Sequence, residues 1–450
     1  AFYGLMECKQ SHRGLLEMRP TKRPFLLTRA SFIGSGQYTS HWTGDNEATW
    51  EARGGGIKDS IQACLGANLW GISQVGADIG GFFGKPEQQL LTRWTQLGSF
   101  YTFTRNHHGL DTSPGSEPYR WDAAAVATMR DAYLWRYRLL PFFYTLLMDS
   151  HLTGGPAMRH PTMNFPTDAA AYHETYSFFL GDSMLVAPVV DEDATSVTTY
   201  VPAGVWYRLR PAWTDAAVIV GPAKHVLSSA VYNDQIPVLV AAGTVIPQHT
   251  TPALTVKDTR ASGISLLCLL DANGLAAGHL FVDSAESAPT AADATLAYRL
   301  DVQCAANLQG GVISVSATNP SAHRPTDAPV PTGGARFSIR FFEVVSRIDV
   351  SGMVVNGQKL SSGACSVVNN TLTCTLPDGV DASQPLEVAW GERANSVADA
   401  HDDTVHISKA GLVAALVGGA VLGAIAAAVI MHLRAASNSR RNNEDYSRVQ

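Results

Sequence analysis

The sequence has few charged residues and no excess of basic ones, which excludes two classes of protein at the outset. Charged residues make up 16% of the 450 residues and hydrophobic residues 46%, so the chain can fill a core and is not generally disordered. Lysine and arginine number 33 against 39 aspartate and glutamate, for a formal net charge of −6. Because there is no basic stripe, a nucleic-acid-binding function is excluded.

Cysteine is also scarce, and several catalytic motifs are absent. The six cysteines are too few for a disulfide scaffold, and no two have the Cys-x-x-Cys spacing of a zinc site. Neither Gly-x-Ser-x-Gly nor His-Glu-x-x-His occurs, and the three glycines at 54–56 lack the lysine and the strand-to-helix setting of a phosphate-binding loop. Serine-hydrolase, zinc-protease and nucleotide-binding chemistries are therefore disfavoured.

The chain begins at Ala1, in what reads as globular sequence, and no secretory signal is visible. We therefore expect it to be the C-terminal portion of a longer chain.

Residues 410–431 contain no charged side chain and predict a transmembrane helix. At about 1.5 Å rise per residue they span roughly 33 Å, enough to cross a lipid bilayer; the alternative, a buried core helix, rarely lacks a polar face over this length. Asp402 and Asp403 precede the segment, and Arg434, Arg440 and Arg441 follow it. The positive-inside rule then predicts a single-pass type I protein whose body is lumenal (lysosomal or endosomal) or extracellular.

Three short patterns agree with such a location. Asn369 opens an Asn-x-Thr glycosylation sequon, and Cys365 and Cys374 flank it at a spacing that suits a hairpin disulfide. Tyr446 opens a tyrosine-x-x-hydrophobic motif of the form that endosomal sorting adaptors bind, so a sorting adaptor is a candidate partner.

The first 160 residues alternate apolar runs with helical patterns. Buried strands are predicted at 24–29, 69–75 and 99–104, and Asp122 is a candidate cap for a helix that restarts near Pro141. Another helix is indicated by apolar residues at helical spacing, namely Leu90, Leu91, Trp94 and Leu97. This alternation predicts a parallel α/β sheet or half of a (β/α)8 barrel.

From about residue 165 the pattern changes to short β-rich runs separated by Pro, Gly and Asp. The runs lie at 184–190, 197–201, 236–241, 244–247, 296–302 and 337–342. They predict one or two antiparallel β domains. Residues 319–334, rich in Pro and Thr, are predicted to be a surface loop.

Polar residues follow the predicted barrel strands, and the C-terminal strand ends of such a barrel form its reaction face. Arg29, Asp78 and His107 can bond sugar hydroxyls, Trp42 offers an apolar face, and Asp45 can donate a proton to a leaving oxygen. Each has a simpler alternative. Arg29 and Asp78 can pair as a salt bridge, His107 can be an ordinary satisfied histidine, and Trp42 can belong to the core.

Taken together, these segments resemble glycoside hydrolase family 31, the retaining α-glucosidases, in its lysosomal and intestinal branch. The matching segments, in order, are 23–29 (RPFLLTR), 41–46 (HWTGDN), 76–79 (GADI) with 81–82 (GF), 93–101 (RWTQLGSFY), 105–107 (RNH), 139–145 (LLPFFYT) and 204–207 (GVWY). The resemblance fades through the distal β region and does not cover the membrane tail.

The resemblance implies a role for each site residue. Asp45 matches the general acid/base, Arg29 the arginine beside the bound glucose, and His107 the histidine that holds ring hydroxyls. The pocket wall is matched by Trp42, Asp78 and Phe82. No metal and no organic cofactor is implied, and the partner is an oligosaccharide with α-linked glucose.

The family architecture implies a series of domains along the chain. These are the C-terminal part of the (β/α)8 barrel (1–161), a proximal β-sandwich (162–252), a distal β-sandwich (253–391), a linker (392–409), the transmembrane helix (410–431) and a cytoplasmic tail (432–450).

Among the departures from the family pattern, two bear on the catalytic carboxylates. The nucleophilic aspartate of the family lies in a Trp-x-Asp-Met-Asn-Glu-like segment that this sequence does not contain, so we expect it upstream. The segment 51–59, which includes the glycines at 54–56, is longer than usual and is expected to loosen Asp45.

The leading hypothesis is therefore a membrane-anchored α-glucosidase that acts on maltose-type substrates. One alternative is the endoplasmic reticulum glucosidase that trims N-glycans. Another, from a different class, is a non-catalytic sugar-binding ectodomain.

Overall fold

The computed structural model describes residues 2–110, 115–211, 217–282, 298–307 and 310–317, with strand segments at 338–341, 354–355, 358–359, 365–368, 371–375 and 386–391. All belong to one unit, Ala1–Val397. Within them, no helix is both long and apolar enough to cross a membrane. The predicted loop 319–334, Asn369, the span 410–431 and Tyr446 lie outside the described residues and stay predictions.

Residues 2–153 alternate helices with very short parallel strands. The helices are α1 Phe2–Met18, α2 Ile57–Leu69, α3 Gln88–Gly98, α4 Ala123–Arg138 and α5 Leu140–Thr153. The strands are β1 Leu27–Thr28, β2 Ser40–Trp42, β3 Val75–Gly76, β4 Asp78–Ile79 and β5 Arg105–Asn106. β1, β2 and β3 pair in parallel in that order, and β4 pairs in parallel with β5. This confirms the predicted part of an α/β barrel.

The predicted helices are present, and burial explains where they lie. Leu90, Leu91, Trp94 and Leu97 of α3 are all buried, as their spacing predicts. Asp122 caps α4, since its carboxylate accepts a hydrogen bond from the backbone N–H of Ala125 at 2.9 Å. α5 restarts at Leu140, where Pro141 fits the first turn because its missing N–H is not needed there.

Three strand predictions need correction. The strand predicted at 69–75 is wrong, because Leu69 ends α2 and Gly71 turns the chain at φ +79°. Strand pairing starts only at Val75. The run at 99–104 is wrong because Ser99 and the next two residues continue in turns, and the strand begins at Arg105. The run at 24–29 contains β1, which is shorter and only half buried.

Residues 158–241 form a six-stranded antiparallel sheet of order β10-β9-β11-β8-β7-β6. Its strands are β6 Met158–Arg159, β7 Phe178–Leu180, β8 Met184–Val186, β9 Ser196–Leu209, β10 Ala217–Ser228 and β11 Val238–Ala241, with the short helix α6 Pro161–Asn164 after β6. Three of the predicted runs are found here, and the long β9–β10 hairpin, paired over almost its full length, extends well beyond the predicted run 197–201.

The remaining strands form an eleven-stranded mixed sheet of order β19-β18-β22-β16-β15-β14-β12-β13-β17-β21-β20. Its elements are β12 Thr244–His249, α7 Val256–Ala261, β13 Ile264–Leu269, β14 Leu275–Val282, β15 Tyr298–Asn307, β16 Gly310–Ala317, β17 Ser338–Phe341, β18 Val354–Val355, β19 Gln358–Lys359, β20 Cys365–Val368, β21 Thr371–Thr375 and β22 Leu386–Gly391. β12–β14 and β13–β17 pair in parallel, which the antiparallel prediction missed. β12 precedes the predicted boundary at 252, yet it hydrogen-bonds in this larger sheet.

A disulfide that spacing did not indicate joins Cys268 in β13 to Cys304 in β15. Three inter-strand steps separate these strands, roughly 14 Å in a flat sheet. Their Cα atoms are 6.4 Å apart, so the sheet folds over on itself between them. Cys365 and Cys374 are direct cross-strand partners in the β20–β21 hairpin, and the disulfide between them stays a prediction.

One apolar core runs from the barrel helices into both sheets. It includes Ile57 of α2, Trp94 of α3, Trp135 of α4, Val238 of β11 and Leu267 of β13, all buried. The barrel part and the β part are therefore packed as one body within Ala1–Val397.

Candidate active site

The turn after β2 carries Asp45 towards the end of β1. Arg29 Nη1 donates a hydrogen bond to Asp45 Oδ2 at 3.1 Å, and the two side chains form a salt bridge. The Asp45 side chain is 34% exposed and the Arg29 side chain 60% exposed. The turn passes through Gly44 at φ +90°, where a Cβ would stand 3.0 Å from Arg29 Cδ. The left-handed backbone at this position favours glycine, and any larger residue would also push the Arg29 side chain aside.

Asp78 is fully buried at the start of β4 and pairs with Arg105 on β5. The parallel register sets the two residues opposite each other, and Asp78 Oδ1 accepts from Arg105 Nη2 at 2.6 Å and from Nε at 3.2 Å. The alternative salt bridge between Arg29 and Asp78 is therefore wrong, since each has a different partner. Sequence reasoning gave Arg105 no role, although it opens the Arg-Asn-His segment.

The charge of Asp78 is set by opposing influences. Burial raises the pKa of this carboxyl above its usual range, and nearby Asp45 adds to the rise. The cation of Arg105 and the neighbouring His107 oppose it. Asp78 Oδ2 is buried without a hydrogen-bond partner in the described part of the chain. Arg105 therefore holds one carboxylate oxygen of Asp78, and the other has no partner among the described residues.

Aromatic side chains line the same end of the strands. The guanidinium of Arg105 lies 5.1 Å from the ring centre of Trp42, the last residue of β2. The rings of Phe82 and His107 are 5.4 Å apart at 33°. Phe83 packs edge-on against Phe82 at 4.8 Å and is half exposed.

Asn46 is a second residue that sequence reasoning gave no role. It is 2% exposed, and its side chain bonds to Thr43, to the backbone of Asp78 and to the glycine segment at Gly55. The lengthened segment is therefore hydrogen-bonded to the turn that carries Asp45, whereas it was expected to loosen that turn. The one sequence signal for a role of Asn46 is its position directly after Asp45 in the motif.

The described residues contain no group of three or more His, Cys, Asp or Glu side chains arranged to hold a metal ion. The geometry instead offers one solvent-accessible carboxylate beside a cation, a buried carboxylate that orients an arginine, and an aromatic wall. Such a set can bind a hydroxyl-rich ring and exchange a proton with it.

Comparison with known proteins defines the class first. Residues 1–146 match the glycosyl hydrolases family 31 TIM-barrel domain, and residues 154–246 match the family 31 C-terminal domain. The chain belongs to glycoside hydrolase family 31, as the sequence motifs predicted.

Individual proteins similar to this chain belong to the same class of glycosidases. The chain is 42% identical to an alpha-glucosidase of Hordeum vulgare over 63% of this chain and 31% of that protein. It is 39% identical to the lysosomal alpha-glucosidase of Bos taurus over 63% of this chain and 31% of that protein. It resembles the structure of a glucosidase II alpha subunit with TM-score 0.73 and 26% identity, covering 86% of this chain and 42% of that one. The chain thus spans about a third of the length of these curated relatives.

Proposed function

We propose that this chain carries the acid/base part of the active site of a retaining α-glucosidase that releases terminal α-linked glucose from maltose-type oligosaccharides. The observation that carries the proposal is the partly exposed Asp45 carboxylate, 3.1 Å from Arg29 at the ends of parallel strands. The aromatic wall of Phe82 and the neighbouring His107 support a sugar ring as ligand. The alpha-glucosidase relatives support glucose as that sugar.

The proposed reaction is a double displacement with two carboxylates about 5–5.5 Å apart. Asp45 first donates its proton to the glycosidic oxygen while the second carboxylate attacks the anomeric carbon, so that the bond to the leaving sugar breaks and a glucosyl–enzyme ester forms. It then removes a proton from the water that hydrolyses the glucosyl–enzyme ester. Arg29, paired with Asp45 here, is suited to hold the carboxylate in place until substrate enters.

The nucleophile of this reaction is proposed to be an aspartate outside these 450 residues, because the Trp-x-Asp-Met-Asn-Glu-like segment of the family does not occur in them. The activity is accordingly proposed for the complete protein. Sequencing the coding region upstream of Ala1 tests this directly. A Trp-x-Asp-type segment in frame supports the proposal, and its replacement by a residue without a carboxylate would overturn it.

Substrate choice separates the two glucosidase candidates. The similarity to a glucosidase II alpha subunit favours N-glycan trimming as the second candidate. The complete protein, purified, is to be compared on maltose and on a glucosylated N-glycan at equal concentration. We expect the higher kcat/KM on maltose; a preference for the glycan would favour the second candidate. A protein that binds both sugars and hydrolyses neither would be a sugar-binding ectodomain.

For location, we propose a type I membrane protein with a lumenal or extracellular body, anchored by residues 410–431 and sorted through Tyr446. The charge asymmetry around the apolar segment supports this orientation. Imaging of the tagged protein tests it, with Tyr446→Ala expected to shift the protein towards the cell surface. Unchanged distribution of the variant would refute the sorting signal.

A further inference from the structure

We propose that Asn46, fixed by the glycine loop at 54–56, is the positioning residue that holds Asp45 in place to donate its proton. The inference rests on the proposed function, because it assigns Asp45 as the acid. It concerns the lengthened segment, which the family resemblance leaves without a purpose.

The side chain of Asn46 joins three parts of the site. Its Oδ1 accepts from Thr43 Oγ1 at 3.0 Å and from the backbone N–H of Asp78 at 3.2 Å. Its Nδ2 donates to the carbonyl of Gly55 at 2.6 Å. Because Asn46 is buried, each of these bonds would leave an unsatisfied polar group if it were broken.

The backbone of Asn46 is equally constrained. Its carbonyl accepts from the N–H groups of both Phe82 and Phe83, at 2.7 and 2.9 Å. The residue directly after Asp45 is therefore bonded to the start of β4 through its side chain and to the aromatic wall through its main chain. The peptide that links Asp45 to Asn46 has little freedom to move independently of the pocket.

The glycine loop closes this arrangement from the other side. The N–H of Glu47 donates to the carbonyl of Gly54 at 2.8 Å, and the N–H of Gly55 donates to Asp59 Oδ2 on α2 at 3.3 Å. Gly54 and Gly55 have φ of +61° and +74°. The loop thus connects the first turn of α2 to Asn46, and its conformation favours glycine.

Two glycines provide a matched pair of perturbations. A Cβ at Gly55 would stand 2.8 Å from Asn46 Nδ2, whereas a Cβ at Gly71, which lies outside the site at φ +79°, would meet no atom within 4 Å. Both substitutions place alanine in a left-handed backbone conformation, but only Gly55→Ala displaces Asn46. Gly71→Ala is therefore the control for backbone strain.

The test uses two substrates that need proton donation to different degrees. The leaving group of maltose is a sugar alkoxide, which needs a proton from the acid. The leaving group of a dinitrophenyl α-glucoside is dinitrophenolate, which departs readily without one. Because kcat/KM reports steps up to the first bond cleavage, its ratio between the two substrates measures acid assistance. Both substrates are measured on the same preparation of the complete protein, so the ratio is independent of how much protein is folded.

We expect Gly55→Ala and Asn46→Ala to lower kcat/KM for maltose by at least about tenfold, since small displacements of a catalytic group are costly. The dinitrophenyl substrate should change by less than about threefold, and Gly71→Ala should leave the ratio unchanged. An equal loss on both substrates in the Gly55 and Asn46 variants would overturn the inference. Absence of hydrolysis of either substrate by the unsubstituted protein would instead refute the proposed function.

Discussion

The ion pair of Asp78 and Arg105 is the residue-scale feature with the clearest energetic consequence. Asp78 is fully buried, and the side chain of Arg105 is 27% exposed. Arg105→Gln removes the cation and leaves a buried carboxylate, which we expect to cost about 3 kcal/mol of unfolding free energy, towards the low end for a broken buried pair. Urea denaturation of the complete protein measures it.

Two further variants make this prediction specific. Asp78→Asn added to Arg105→Gln removes the stranded charge and should recover part of the loss. Arg13→Gln breaks an exposed pair with Glu17 on α1 and should cost less than about 1 kcal/mol. Equal losses for Arg105→Gln and Arg13→Gln would contradict the assignment of a buried pair.

His249 gives a prediction about pH at the same scale. Burial in β12 lowers the pKa of His249 below its ordinary value. A hydrogen bond with the carbonyl of Gly263 acts in the opposite direction and raises the pKa. The unfolded chain then binds a proton that the folded chain does not, so stability falls as pH drops below about 6.5 towards the lowered pKa. His249→Gln should flatten this decline between pH 7 and 5, as followed by thermal unfolding.

The control for that experiment is Thr251→Gln, at an exposed position whose side chain does not titrate. It should leave the slope of stability against pH unchanged. A slope that is the same in His249→Gln and the unsubstituted protein would show that His249 does not carry the effect.

The sequence indicated candidate site residues but could not show which of them pair. Asp45, Arg29 and His107 follow from motif and strand-end position. Which arginine faces Asp78 depends on the register of β4 against β5, and strands of two residues leave no periodic pattern from which to predict a register.

At the scale of elements, Arg93 of α3 holds the barrel part to the six-stranded sheet. It is 2% exposed and donates to the carbonyls of Ala194, Ser229 and Ala230, which flank the β9–β10 hairpin, and to the Ser229 hydroxyl. Burial lowers the pKa of its guanidinium to about 10, so it stays protonated at neutral pH. We expect Arg93→Met to cost more than about 3 kcal/mol, because several buried carbonyls lose their donor.

Denaturant unfolding again provides the measurement. Arg93→Lys keeps the charge but not the forked geometry and should recover only part of the stability. Arg130→Met, at an exposed position on α4, is the matched control and should be nearly neutral. A small loss in Arg93→Met would mean that the interface is held by its apolar contacts alone.

Helices were predicted better than strands for a physical reason. The apolar spacing of α3 and the cap at Asp122 are local signals that burial reinforces. The apolar residues Leu69 and Trp70 end α2 with their side chains exposed, so an apolar run there did not mean a buried strand. The signal that was missed is Gly71, whose positive φ ends the helix.

At the scale of the whole molecule, the order of α/β followed by β elements was predictable from composition and turn residues. The folding-over of the larger sheet was not. Cys268 and Cys304 are close only because strands three steps apart in the sheet face each other, and nothing in their separation of 36 residues indicates this. Long-range topology of this kind depends on the packing of the complete core.

The measurement that tests the account most directly is azide rescue of Asp45→Ala in the complete protein. Removing the acid/base should lower maltose hydrolysis by roughly 10²–10⁴-fold while a dinitrophenyl α-glucoside still forms the glucosyl–enzyme ester. Azide, which needs no general base, should then restore turnover and give α-glucosyl azide, identified by nuclear magnetic resonance. Undiminished maltose hydrolysis by the variant, or rescue that yields the β-azide, would contradict Asp45 as the acid/base of a retaining α-glucosidase.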